Sequence, residues 1–149
     1  MSDIDLNTLA ARKALAAKYA AKHGLDTALV CAVIEQESGW DTWAMRYEPA
    51  FYQRYIVPMG LEDLTAALAR ATSFGLMQLM GQTAIEFGFK GKFATSLCDP
   101  DTGVDFGCAK LRSCLDKHSG DETKALLSFN GGGDSHYPGQ VQGRKAAYE

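Results

Sequence analysis

The chain has 149 residues, 46% of them hydrophobic and 22% charged, with a formal net charge of -3. That length suits one domain, 1–149, able to bury roughly 70% of its unfolded surface, and the composition is that of an ordinary globular protein. The acidic balance argues against a nucleic-acid partner, which calls for a basic face, and apolar runs of only a few residues argue against membrane insertion.

The start, Met1-Ser2-Asp3-Ile4-Asp5-Leu6, is acidic where an export leader would be basic and then apolar. Export by a cleaved signal is therefore not expected. From Asp5 to about Lys22, Leu6, Leu9, Ala10, Ala16 and Ala20 recur at helical spacing among good helix formers. Gly24 stops that helix. Asp26 stands where an N-cap belongs, and a second helix is expected from Ala28 to about Ser38.

This second helix ends in Glu37-Ser38-Gly39-Trp40, groups suited to proton transfer and sugar contact. At 100° per residue, Val30, Val33, Ile34 and Glu37 share one side, while Glu35 points over Ala28, Cys31 and Ala32. Geometry thus selects Glu37 as the carboxylate that follows the apolar stripe inward. Residues 41–60 carry aromatics and two prolines without a period, and read as an irregular connection with a helical turn after Pro49. Long loops of this kind are often functional.

Leu61, Leu64 and Leu68 share one face of a short helix ending at Arg70. Leu76, Leu79, Met80 and Thr83 then fall at i, i+3, i+4 and i+7, which predicts a buried helix entered through Ser73 and Gly75. Gln78 beside that stripe needs partners for its amide. Asp99 and Pro100 open a helix to about Lys117, and a shorter one runs from Glu122 to Phe129. Gly131-Gly132-Gly133 suits a turn where backbone approaches something closely. A last helix is expected from Gln140 to Tyr148. No strand is expected, so the fold class is all-α. Cys31, Cys98, Cys108 and Cys114 have no zinc spacing. Cys31 reads as a core residue, and Cys98, Cys108 and Cys114 leave room for a disulfide, with reduced thiols the default expectation.

Three segments stand out in order: Glu37-Ser38-Gly39-Trp40, Ser73-Phe74-Gly75-Leu76-Met77-Gln78, and Phe129-Asn130-Gly131-Gly132. Their order and spacing resemble the signature of the Slt-type lytic transglycosylases, cell-wall muramidases of the goose-type lysozyme-like fold. The resemblance covers about Leu25 to Gly133. It implies a lysozyme-like helical domain with a glycan cleft, cleaving the bond between N-acetylmuramic acid and N-acetylglucosamine, with no cofactor or metal. Glu37 would be the catalytic acid and then base, closing a 1,6-anhydromuramyl product by taking the proton of the sugar's own C6 hydroxyl. Ser38 would orient the carboxyl or the substrate, Met77 and Gln78 would line the cleft, and Asn130 would form its opposite wall.

The departures from the family pattern carry expectations of their own. Phe129 stands where the family has tyrosine, so Tyr137 or Tyr47 would have to supply the missing hydroxyl. Ser73 would contribute a hydroxyl to substrate. The 33 residues between Trp40 and Phe74 form an aromatic insertion, and Glu48 within it is a candidate second carboxylate. If Glu48 reached the cleft it could activate water, giving a hydrolysing muramidase. The competing reading is that it caps or pairs with an arginine. A rival of another class is a silent glycan-binding or virion structural protein that keeps the cleft, although a binder gains little from a buried acid. Length and the absent leader fit a monomeric phage endolysin, made in the host cytoplasm and acting on peptidoglycan glycan strands after release.

Overall fold

The computed structural model describes residues 4–149. Met1, Ser2 and Asp3, part of the stretch read against an export leader, lie outside the described residues. Helix α1 spans Leu9–His23, later than the sequence suggests, because the Thr8 side chain accepts from the Ala11 N–H and sets the start there. Gly24 closes it in the left-handed conformation. Helix α2 covers Thr27–Ser38, capped by Asp26 and ended by Gly39 at φ +59°.

Every residue from Ala28 to Ile34 is buried, so α2 is the central helix of the main core. Around it pack α1, α6 (Pro100–Lys117), α7 (Glu122–Phe129) and α8 (Tyr137–Lys145). Asp99 and Asp121 cap α6 and α7 by accepting from Thr102 and Lys124. Tyr19 and Lys18 reach Asp101, and Lys22 and His23 reach Asp105, tying α1 to α6. Helix α8 starts at Tyr137 rather than Gln140, with Pro138 in its first turn, and its tail Ala146–Tyr148 is a 3-10 turn.

The expectation of no strands is corrected. Met45–Tyr47 (β1), Thr72–Phe74 (β2) and Leu79–Met80 (β3) form a small antiparallel sheet in the order β1-β2-β3. Met45 pairs with Phe74, Arg46 with Ser73 and Tyr47 with Thr72, while Ser73 pairs with Met80. The stripe Leu76, Leu79, Met80, Thr83 is therefore a turn, a strand and the start of α5 (Gly81–Glu86), not one helix. Gly75 at φ +75° and Gln78 at φ +49° make the reversal that a continuous helix could not contain. Gly75 also lies where a Cβ would meet the Leu97 carbonyl at 2.5 Å.

The insertion after β1 folds as a turn of α-helix (Pro49–Phe51, α3), a π-helix (Tyr52–Ile56) and a 3-10 turn (Val57–Met59). Helix α4 is only Leu64–Arg70, and its packed side is Ala67 rather than the leucine face, since Leu61 and Leu64 are exposed. Ile56, Ala67 and Ala71 form one small core, and Phe74, Leu79, Ala84, Leu97 and Cys98 form another beneath the sheet. All four cysteines are free and buried.

Candidate active site

The end of α2 sits where the helical core faces the sheet. Gly39 and then Trp40, at φ +67°, turn the chain away in the left-handed region, so Glu37 is in the last helical turn. The Ser38 hydroxyl donates to the Ile34 carbonyl at 3.1 Å and to the Leu76 carbonyl at 2.8 Å. That second bond fixes the helix end to the β2–β3 turn. Ser38, expected to orient the carboxyl or substrate, thus spends its hydroxyl on backbone and acts on Glu37 only by anchoring its helix.

The two neighbouring glutamates go opposite ways. Glu35 accepts from Arg144 at 2.6 Å and from the Tyr148 hydroxyl at 3.0 Å, and Tyr148 in turn accepts from the Trp40 indole at 2.9 Å. This network clamps the C-terminal segment onto α2. Trp40 is buried in it, with the Arg12 guanidinium 5.3 Å from its ring centre. It belongs to the core and not to a sugar-stacking surface.

Glu37 lines a cavity of about 730 Å³. The walls come from β1 (Arg46, and Glu48 just beyond it), Phe51, Ser73, Gln78, Met80, Thr83, Lys110 on α6, Phe129 at the end of α7, and Asn130, Gly131, Gly133 and Asp134 in the turn after it. The Tyr137 hydroxyl donates to Glu37 Oε1 at 2.6 Å. Burial raises the Glu37 pKa above the ordinary value, while the Tyr137 hydrogen bond and the charges of Lys110 and Arg46 oppose that rise without cancelling it. Burial and the adjacent carboxylate push the Tyr137 phenol up, which keeps it a donor. Burial thus favours the neutral carboxyl, while the phenol and the two cations favour the ionised one.

Gln78 donates from its amide nitrogen to the Ala44 carbonyl at 3.0 Å and to the Gly75 carbonyl at 2.9 Å. The Gly75 N–H donates to that same Ala44 carbonyl at 2.8 Å. Both amide hydrogens are thereby used to brace the turn, and what Gln78 offers the cavity is its acceptor oxygen. Asn130 and Ser73 also line the cavity, Asn130 exposed and Ser73 nearly buried. Met77 does not line it. Its side chain is 1% exposed and packs over Gly107, where a Cβ would come within 2.5 Å of its sulfur. Met80 takes the wall position expected for Met77, because the left-handed residue between them reverses which methionine faces outward.

Tyr137 is buried beneath Glu37 rather than forming part of the cavity surface. Tyr47, the other tyrosine considered, is half exposed and packs its ring against Tyr52. Glu48 reaches the cavity, and it also pairs with Arg46, whose Nε lies 3.0 Å from its carboxylate. Glu48 thus lines the cavity and pairs with an arginine at once. Arg46 and Glu48 alternate with Tyr47 along the strand and so emerge on one face.

Lys110 was not anticipated from sequence. Its ammonium donates to the Phe129 carbonyl at 2.7 Å and lies 4.5 Å from the Phe129 ring centre. Burial lowers its pKa, against the pull of Cys114 and Glu37. The only available signal was its register on α6, three residues after Gly107 and four before Cys114, on the buried side. Gly131 and Gly132, both at positive φ, donate to Ser128 and Leu127 and close α7 into the turn that forms this wall.

The family model described as "Transglycosylase SLT domain" matches residues 14–147 of the chain. Among solved structures, the fold is similar to an inactive glutamate-to-glutamine mutant of the lytic transglycosylase Slt from Pseudomonas aeruginosa. The TM-score is 0.60 at 24% sequence identity, over 87% of this chain and 17% of that one. The shared architecture is the lysozyme-like helical fold; the chain spans only a small part of the length of that protein.

Proposed function

The chain belongs to the transglycosylase SLT family, and on that premise we propose that it cleaves the β-1,4 bond between N-acetylmuramic acid and N-acetylglucosamine in peptidoglycan, with Glu37 as acid and then base. The observation that carries this reading is the desolvated Glu37 carboxyl on the wall of a large cleft, with a phenol donating to it. Tyr137 occupies Oε1, so the transferable proton is assigned to Oε2. Glu37 gives that proton to the glycosidic oxygen. The bond from muramic C1 to that oxygen breaks, its electron pair leaving with the glucosamine sugar.

The acetamido oxygen of the muramic sugar then holds C1. The Glu37 carboxylate removes the C6 hydroxyl proton as O6 bonds to C1 and displaces the acetamido oxygen. Water is not consumed, and Glu37 ends protonated as it began. A second carboxylate is not needed. An unperturbed Glu, titrating near about 4.3, would be a poor acid at neutral pH, and the upward shift of Glu37 answers that need.

The test is Glu37→Gln on purified cell walls. Loss of product release with retained glycan binding supports the assignment, full activity removes Glu37 from the mechanism, and a wild-type protein that binds glycan without releasing product favours the silent binder. A second reading has one observation in its favour: Glu48 lines the same cavity. Hydrolysis through Glu48-activated water would make Glu48→Gln inactive, whereas anhydro formation would survive that change. The finer reading as a phage endolysin is part of the same proposal. Its test is expression inside host cells, which should lyse promptly only when a membrane pore is supplied.

A further inference from the structure

Lys110 is a half-buried amine with no part in the chemistry above, yet it borders the same cavity as Glu37. Four observations bear on it. It comes from α6, an element that supplies no other lining residue. Its ammonium is bonded to the main-chain carbonyl of Phe129, the last residue of α7. That carbonyl is one of the acceptors a helix leaves open at its C-terminus, where a cation is favoured. The ammonium also lies against the Phe129 ring, which limits how it can move.

We propose that Lys110 is a positioning residue for the Glu37 reaction, holding the Phe129–Gly133 wall against α6 and stabilising the carboxylate that Glu37 becomes after it has given up its proton. This inference rests on the reading of Glu37 as acid and base. The acid step leaves a negative charge in a site that desolvates it, and a fixed cation prepared in advance is the cheapest compensation. Arg46 is the other cation near Glu37, but it is largely exposed and engaged with Glu48, so solvent and its partner weaken its field. The groups facing Glu37 are thus Tyr137 from α8, Lys110 from α6, and the Arg46–Glu48 pair from the β1 strand and its end. Asp134, from the turn after α7, also lines the cavity.

The test compares Lys110→Met, Lys110→Gln and Lys110→Arg by the pH dependence of product release from peptidoglycan. The alkaline limb reports loss of the Glu37 proton. Removing the cation raises the Glu37 pKa, so this limb moves up by roughly 0.5–1 pH unit in the Met and Gln variants. It stays in place in the Arg variant, which keeps the charge. A lysine that only props the wall would lower the rate alike at every pH, and an unmoved limb in the neutral variants overturns the proposal. If the Met variant does not fold, the Gln variant, with a donor for the Phe129 carbonyl, gives the same reading. Glu37→Gln run alongside separates the two claims: activity in that variant would end the reading of Glu37 itself, whereas an inactive variant with unmoved limbs at position 110 would end only this one.

Discussion

Glu37→Gln removes a carboxyl whose folded pKa burial holds above its ordinary value. A group raised in this way stabilises the fold while protonated, below the unfolded value of 4.5, and that contribution is lost as pH rises through the folded pKa. Wild type at neutral pH therefore carries a stability cost that the neutral amide does not. Each unit of upward displacement is worth about 1.4 kcal/mol, and for a domain of this size about 1 kcal/mol moves Tm by roughly 2–4 °C. Glutamine also keeps an acceptor for the Tyr137 hydroxyl, so no hydrogen bond is forfeited. The assay is thermal unfolding of both proteins from pH 4 to pH 8. The variant is expected to melt higher at pH 7, with the gap closing as pH falls towards 4.5. A variant that melts lower at pH 7, or a gap that does not depend on pH, would refute the claim that this carboxyl is held in a desolvating site.

Three further outcomes follow from the same contacts. Tyr137→Phe removes the donor that favours the ionised form of Glu37; hydrogen bonds to charged groups exceed neutral ones by about 1 kcal/mol, so the alkaline limb of activity should rise by a little under one pH unit while the maximum rate falls. Gly75→Ala forces a side chain into a left-handed residue and against the Leu97 carbonyl; a loss on the order of 2 kcal/mol or more should appear in denaturant unfolding, together with reduced activity from a disturbed Ser38 anchor. Burial pushes the Cys31 thiol up to about 11 and the Cys108 thiol up to about 12, so a thiol reagent at pH 8 should label neither until denaturant is added.

What the sequence disclosed depended on whether a local signal had a local cause. Asp26, and Asp99 with Pro100, mark helix starts because capping is settled within four residues, and the two helices they open lie where expected. Glu37 was separable from Glu35 because, at 100° per residue, side chains two positions apart along a helix point about 160° apart, and the structure sends the two to opposite partners. The sheet was hidden for a corresponding reason. Strands of two or three residues show no period, and Leu76, Leu79, Met80 and Thr83 imitate a helical stripe by accident. Only the left-handed Gly75 and Gln78, whose conformations depend on contacts with Ala44 and Leu97, break it. The exchange of Met77 for Met80 follows directly from that missed turn. Beyond its register on α6 nothing local marks Lys110, and its meaning comes from a carbonyl nineteen residues away.

The most direct measurement is the mass of the sugar products released from purified peptidoglycan by the wild-type protein. The account predicts muropeptides ending in 1,6-anhydromuramic acid, each one water lighter than the hydrolysed form, and none from Glu37→Gln. Products carrying the full mass of an added water, or anhydro products that persist in the Glu37→Gln digest, would contradict it.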